Sequence, residues 1–203
     1  MKKEGITFTV EDAEKTYADA NPLPETLQVS VSGCIPGEES LFKYGSEYTA
    51  NYNFDIYHDA GIVNDGITLK INLKSEIMRN YECPEILNQN FTINKRNAKL
   101  VAEDVTIEYN DPEPEIYPVT STNIIDKDKI LPEDYAVYRD GGSDVGNYNI
   151  NLSLTEIGKT KFENNYQLEI QNGNFVINYF YASLDIKLKD TIKSIIYGND
   201  ILD

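Results

Sequence analysis

The chain has 203 residues, with 34 acidic side chains against 18 basic ones and a formal charge of −16. That charge repels nucleic-acid phosphate and anionic lipid, which excludes both as expected partners. The apolar fraction of 40% is drawn mainly from Ile, Leu, Val, Tyr and Phe, with 15 Tyr, no Trp and two Met, a composition suited to pleated strands rather than helices.

Residues 1–5, MKKEG, read as a leader without fixed structure. Two lysines with no apolar segment behind them do not make a secretory signal, so the chain is expected to be cytosolic or a piece of a longer secreted protein. No stretch reaches the ~18 apolar residues of a membrane-spanning helix. Ile6, Phe8 and Val10 alternate with Thr7, Thr9 and Glu11, the period of a half-buried strand. A proline-bearing turn, ADANPLPE, follows Tyr17. Leu27, Val29 and Val31 give a second strand, and Ile35 to Ser46 reads as a loop around Pro36-Gly37. Tyr52, Phe54 and Ile56 predict a third strand, and Ile67, Leu69, Ile71 and Leu73 a fourth. Lys74 to Asn80 has the look of a short helical turn. Tyr81 to Asn94 is expected to close the unit as a hairpin bent near Asn88 to Asn90.

The same order then returns. Leu100, Ala102, Val105, Ile107 and Tyr109 predict an entry strand with an irregularity at Glu103-Asp104, followed by the turn YNDPEPE. Tyr117 and Val119, then Tyr135 and Val137, then Tyr148, Ile150, Leu152 and Leu154 predict three strands, with a charged loop from Ile124 to Asp134. Tyr166, Leu168 and Ile170, then Asn172-Gly173, then Phe175 and Ile177 predict a second closing hairpin. No segment reads as a convincing helix. Asp12 and Asp104, and likewise Tyr17 and Tyr109, share one offset of 92 positions, whereas Asn94 and Asn178 are 84 apart. A period near 90 suits self-contained domains in an array.

The expected fold is therefore all-β: two tandem antiparallel β-sandwich, Ig-like domains end to end, covering 6–96 and 97–182. Residues 183–203 are expected to open a third copy or to be a C-terminal strand, since LKDTIKSIIYGND repeats the pattern of LVAEDVTIEYND. The seam at Lys95 to Ala98 is short, charged and free of Gly or Pro, unlike a flexible linker. Three successive aromatics, Tyr179-Phe180-Tyr181, cannot share one face of a strand, and a second seam is their expected place.

Chemistry-bearing motifs are few. The single histidine, His58, lies beside no Ser or Cys motif, and one His with two distant Cys does not make a zinc site. Cys34 and Cys83 are either buried free thiols or a disulfide. Calcium is the best chemical alternative, because hard cations take closely spaced Asp, Asn and carbonyl oxygens. Its candidates are Asp140 with Asp144 around Gly141-Gly142, and Asp59 with Asn64 and Asp65, in segments whose residues equally make ordinary turns. Glu113 and Glu115 flank Pro114 and read as turn residues. Asn90-Phe91-Thr92 and Asn151-Leu152-Ser153 fit the glycosylation acceptor pattern, and Lys–Asn crosslinks have no pairing that the sequence designates. No catalytic, cofactor or metal residue is assigned.

A family pattern is carried by Asp104, Tyr109, Asp111 and Pro112, then Val145-Gly146-Asn147-Tyr148, Asn165-Tyr166 and Asn172-Gly173-Asn174-Phe175. The first copy matches at Asp12, Tyr17, Asp19, Pro22, Asn80-Tyr81 and Asn90-Phe91, and departs at Val63-Asn64-Asp65-Gly66. The chain thereby resembles the MBG repeat, a mostly-β module of the Tyr-Gly-x type found in tandem in bacterial surface proteins and adhesins. Glycine follows the tyrosine only at Tyr197-Gly198; Ala18 and Asn110 stand there in the complete copies. The resemblance implies a non-enzymatic, extracellular, monomeric stalk or adhesive repeat whose neighbours are further repeats, with carbohydrate or a host protein as the alternative ligand.

Overall fold

The computed structural model describes residues 3–181. In the first half, β1 (Thr7–Val10), β2 (Glu14–Thr16), β3 (Val29–Ser32), β4 (Tyr48–Tyr52), β5 (Gly61–Val63) and β6 (Ile67–Ile71) lead into helix α1 (Ser75–Met78), then β7 (Glu85–Leu87) and β8 (Phe91–Asn94). The second half runs β9 (Arg96–Ala102), β10 (Val105–Glu108), β11 (Val119–Thr122), β12 (Tyr135–Arg139), β13 (Gly146–Leu154), α2 (Glu156–Phe162), β14 (Tyr166–Gln171) and β15 (Gly173–Asn178). The molecule is all-β, as the alternation predicts.

The halves share a wiring plan. One sheet is β3-β1-β7 in the first half and β11-β9-β14 in the second. In both, the central strand pairs antiparallel with β3 or β11 and parallel with β7 or β14. The facing sheet is β10-β15-β13-β12 in the second half, with β10 parallel to β15. In the first half its counterpart is split into β2-β8-β5 and β4-β6. The nine-residue β13 pairs with β15 along its front and with β12 along its back. Its first-half equivalent breaks between β5 and β6, where Asp65 adopts φ +51° and donates its backbone N–H to Asn90 Oδ1. Apart from β4-β6, the sheets are thus mixed rather than wholly antiparallel.

Neither closing segment is a hairpin. β7 joins β1 while β8 joins β2 and β5; β14 joins β9 while β15 joins β10 and β13. The chain changes sheets at each bend, and Asn172-Gly173 is the second crossing point. Asn172 Oδ1 accepts the Leu152 N–H at 2.9 Å, and a Cβ on Gly173 would stand 2.6 Å from the Ala102 carbonyl oxygen. Glycine is needed there for close backbone approach rather than for a tight turn. Likewise, the irregularity at Glu103-Asp104 is where the entry strand leaves one sheet as β9 and enters the other as β10.

Three further expectations change. The third strand is Tyr48–Tyr52 and stops before Phe54, because Asp55 caps the Tyr57 N–H at 2.7 Å and turns the chain away. Helix α2 is real: Thr155 caps it by accepting from Gly158 N–H, and Phe162 anchors it at 1% exposure. Its short amphipathic stretch is too brief for periodicity to separate from loop. The described part of the leader is engaged, since Glu4 N–H donates to the Asn80 carbonyl and Glu82 N–H to that of Glu4. The third-copy expectation falls on residues outside those described.

Alternation buries Phe8, Val10, Ile67, Phe91 and Ile93 in the first half and Leu100, Ile150, Phe175 and Ile177 in the second. The larger cluster does not stop at the boundary: Ala98, Phe162 and Tyr166 of the second half belong to the core of the first. Only Lys95 separates β8 from β9, so one core is shared across the junction.

Candidate functional site

Sequence candidates for chemistry are scattered. His58 is exposed, with Nδ1 3.1 Å from the Asp59 carbonyl oxygen and its ring against Phe54. Cys34 and Cys83 are free thiols, the first half-buried and the second exposed, so the pair is neither a disulfide nor two buried thiols. Burial, reinforced by Glu39 and Glu38, pushes the Cys34 thiol pKa up and keeps it protonated. The calcium candidates do not converge. Asp140 spends its two oxygens on the amides of Asn149 and Asn151, Asp144 offers its carbonyl to the Tyr148 hydroxyl, and Asp65 offers its carbonyl to Asn53. Among the described residues, no three His, Cys, Asp or Glu side chains gather as a metal site. Glu113 is held by Arg139 and Tyr117, a fixed turn rather than a free carboxylate.

Polar side chains do converge at the junction of the halves. Tyr17 follows β2 and is only 2% exposed. Its hydroxyl crosses to the second half and donates to Asp128 Oδ2 at 2.9 Å. The same oxygen accepts the Tyr166 hydroxyl at 2.8 Å, and the two rings meet edge to face with centroids 5.6 Å apart. Tyr166 in turn accepts the Ile125 N–H. One carboxylate oxygen, at the end of a 3₁₀ turn over Asp126–Asp128, thus ties three segments together.

The loop from Asp55 to Gly61 supplies a second set of bonds. Asn165 Oδ1 accepts the Ala60 N–H and its amide donates to Asp59 Oδ1, both at 2.8 Å. Asp59, a calcium candidate by sequence, is therefore a junction residue. Lys127 lies over the Tyr57 ring at 4.6 Å. Beneath the loop, buried Lys15 donates to the carbonyls of Asp19 and Ile56, and burial lowers its pKa against the pull of Asp55 and Asp19. Arg96, the first residue of β9, donates Nε to the Tyr17 carbonyl at 2.9 Å and pairs with Asp19. Lys95 donates to the Glu163 carbonyl at the end of α2.

Burial, then the Asp128 carboxylate, raises the Tyr17 pKa well beyond the ordinary phenol value. Burial pushes Tyr166 up to about 12, with Asp128 adding to it. Both phenols are held as neutral donors, which is what a carboxylate acceptor requires.

Beside the junction is an open depression of about 500 Å³ lined by Lys95, Leu154, Phe162, Glu163, Tyr166 and Leu168. It contains one carboxylate, not a facing pair. Asp128, Asp59, Asn165 and Arg96 carry the junction, and sequence reasoning did not single out their pairing. The available signal was the repeated Asn-Tyr pair, Asn80-Tyr81 and Asn165-Tyr166, read only as a family feature.

Residues 98–176 match the family model of the MBG domain (YGX type). No curated protein sequence matches the chain. A solved structure of a cell surface adhesin from Lactobacillus reuteri is similar over 42% of this chain and 99% of its own length, at 15% identity and a TM-score of 0.27. Among the described residues, no helix is long and apolar enough to cross a membrane.

Proposed function

We propose that the chain is a tandem pair of non-enzymatic repeats, 6–96 and 97–182, from a bacterial cell-surface, adhesin-related protein, and that it supplies reach and stiffness rather than catalysis. The MBG-domain match over 98–176 supports the surface location. The observation that carries the stalk reading is the junction. Strand β8 passes into β9 through Lys95 alone, and Tyr17, Arg96, Asp59 and Ala60 lock against Asp128, Tyr166 and Asn165. Such a connection resists bending because any hinge motion exposes Tyr17 and breaks charge-assisted hydrogen bonds.

The test is a distance distribution between two spin labels, measured by pulsed electron resonance. The labels are placed at two exposed positions by Ser30→Cys and Thr120→Cys, in a chain that also carries Cys34→Ser and Cys83→Ser. A stalk gives one narrow distribution that broadens in Asp128→Ala. A broad distribution with Asp128 intact overturns the stalk reading. The alternative, a repeat that binds carbohydrate or a host protein, is supported by the depression beside Tyr166, where an apolar floor and the Lys95 and Glu163 rim combine.

A further inference from the structure

The β10-β15-β13-β12 sheet of the second half turns one face to its core and the other outward. On the outward face the register sets Asn149 beside Asn174, and Asn151 beside Tyr138. Just past β12, Asp140 donates its N–H to the Asn149 carbonyl. Its carboxylate accepts both neighbouring amides, Asn149 Nδ2 at 3.0 Å and Asn151 Nδ2 at 2.7 Å. At the far side, Asp104 Oδ1 accepts the Asn174 N–H at 2.7 Å and its Nδ2 at 3.3 Å. A row of Asp140, Asn149, Asn174 and Asp104 thus crosses the sheet. Asn151 and the Tyr138 ring, 59% exposed, lie next to it.

A carboxylate only accepts, so it fixes which way each amide points. Every Nδ2 faces an acid, and among the described residues none of the three amide oxygens accepts a hydrogen bond. Each amide keeps one N–H and its carbonyl for a ligand. The first half shows that the fold does not require this arrangement. Its equivalent strands set Asn51 opposite Thr68 where Tyr138 faces Asn151, and Gly66 stands in the place of Asn149. Asn90, the counterpart of Asn174, gives its Oδ1 to the Asp65 N–H instead.

The chemistry of the face selects its occupant. The outward positions of the four strands bear no Lys or Arg, and the two aspartates add negative charge, so an anionic partner is repelled. Apart from Tyr138 the row is amide and carboxylate, unlike the apolar, Asp-poor centre of a protein interface. Hydroxyl groups donate and accept, as the amides do, and the C–H face of a sugar ring packs on an exposed aromatic. The row spans three strand spacings, about 14 Å. An extended β-1,4-linked pyranose ribbon advances by nearly one such spacing per sugar.

We propose that this outward face binds a neutral, extended β-1,4-linked polysaccharide, with Tyr138 under one sugar ring and Asn149, Asn151 and Asn174 bonded to its hydroxyls. The site shares no residue with the depression beside Tyr166. It goes beyond the stalk reading, because a stiff pair and a hinged pair present this face equally.

The test is a titration of the whole, nitrogen-15-labelled chain, followed by nuclear magnetic resonance at the side-chain amides of Asn149, Asn151 and Asn174. The probes are cellohexaose, β-1,4-mannohexaose and chitohexaose, with hexagalacturonate as the anionic comparison, each up to about 5 mM, where even a millimolar site is largely filled. At least one neutral hexasaccharide is expected to shift all three amides, and hexagalacturonate none. Tyr138→Ala is expected to weaken that binding about tenfold or more, while Tyr138→Phe, which keeps the ring, stays within about threefold. Unchanged backbone resonances in the core of each variant separate loss of binding from loss of fold. No amide shift with any neutral probe, equal shifts with hexagalacturonate, or binding that survives Tyr138→Ala overturns the proposal. None of these results depends on whether the internal junction hinges.

Discussion

The C-terminal ends of the two halves are built on equivalent strands but filled differently. At the last position of β4 the first half places Tyr52, which packs edge to face on Phe91 and Phe54. At the last position of β12 the second half places Arg139, which lies over Phe175 at 4.8 Å and Tyr148 at 5.2 Å and pairs with Glu113. The aromatic end faces another half, and its loop reaches across to Asn165. The charged end carries the exposed Tyr109 turn. Where a neighbour covers the end, aromatic area can be buried; at the other end a guanidinium spreads its planar face on the rings and pairs with a carboxylate.

The comparison can be broken at its core first. Phe175→Ala removes a fully buried ring and the support under Arg139, and about 3–5 kcal/mol of stability should be lost in urea unfolding. Asp128→Ala removes the acceptor of two phenols and should cost about 3 kcal/mol, whereas Glu38→Ala removes the acceptor of one and costs about half as much. Differential scanning calorimetry should show the former splitting one transition into two, with the halves uncoupled.

Alkaline titration sharpens the same contrast. Tyr166 titrates at about 12 in the folded chain, against about 10 for an unfolded tyrosine. Its contribution is therefore fully present below the unfolded value and is lost as pH rises through the folded one, because the unfolded chain gives up the proton first. The expected loss is on the order of 2 kcal/mol, read from melting at stepped pH and reduced in Asp128→Ala. Smaller again, Tyr17→Phe deletes one buried hydroxyl and should cost about 1 kcal/mol. Tyr109→Phe, its exposed equivalent, should stay within about 0.5 kcal/mol in dilute solution. Equal costs for the two would mean that the junction bond to Asp128 contributes nothing.

Alternation in Ile6-Phe8-Val10 and in Tyr148 to Leu154 was enough to place strands, since side chains on a pleat face opposite ways with a fixed period. The repeat itself was legible because turn residues such as Asp12 and Asp104, or Tyr17 and Tyr109, are dictated locally by backbone geometry. The fold class and the short connection at Lys95 were therefore present in the sequence. Partner choice was not. Nothing in Asn172-Gly173 distinguishes a hairpin turn from a sheet crossing, because both need a tight, glycine-bearing bend; only the Ala102 carbonyl approaching Gly173 decides it. Nor does the chain near Asp128 reveal that Tyr17, 111 positions earlier, will donate to it. Local residues set each strand and turn by short-range sterics, but hydrogen bonds between distant segments depend on how the sheets stack, and that stacking is what made a junction of Tyr17, Asp128 and Tyr166.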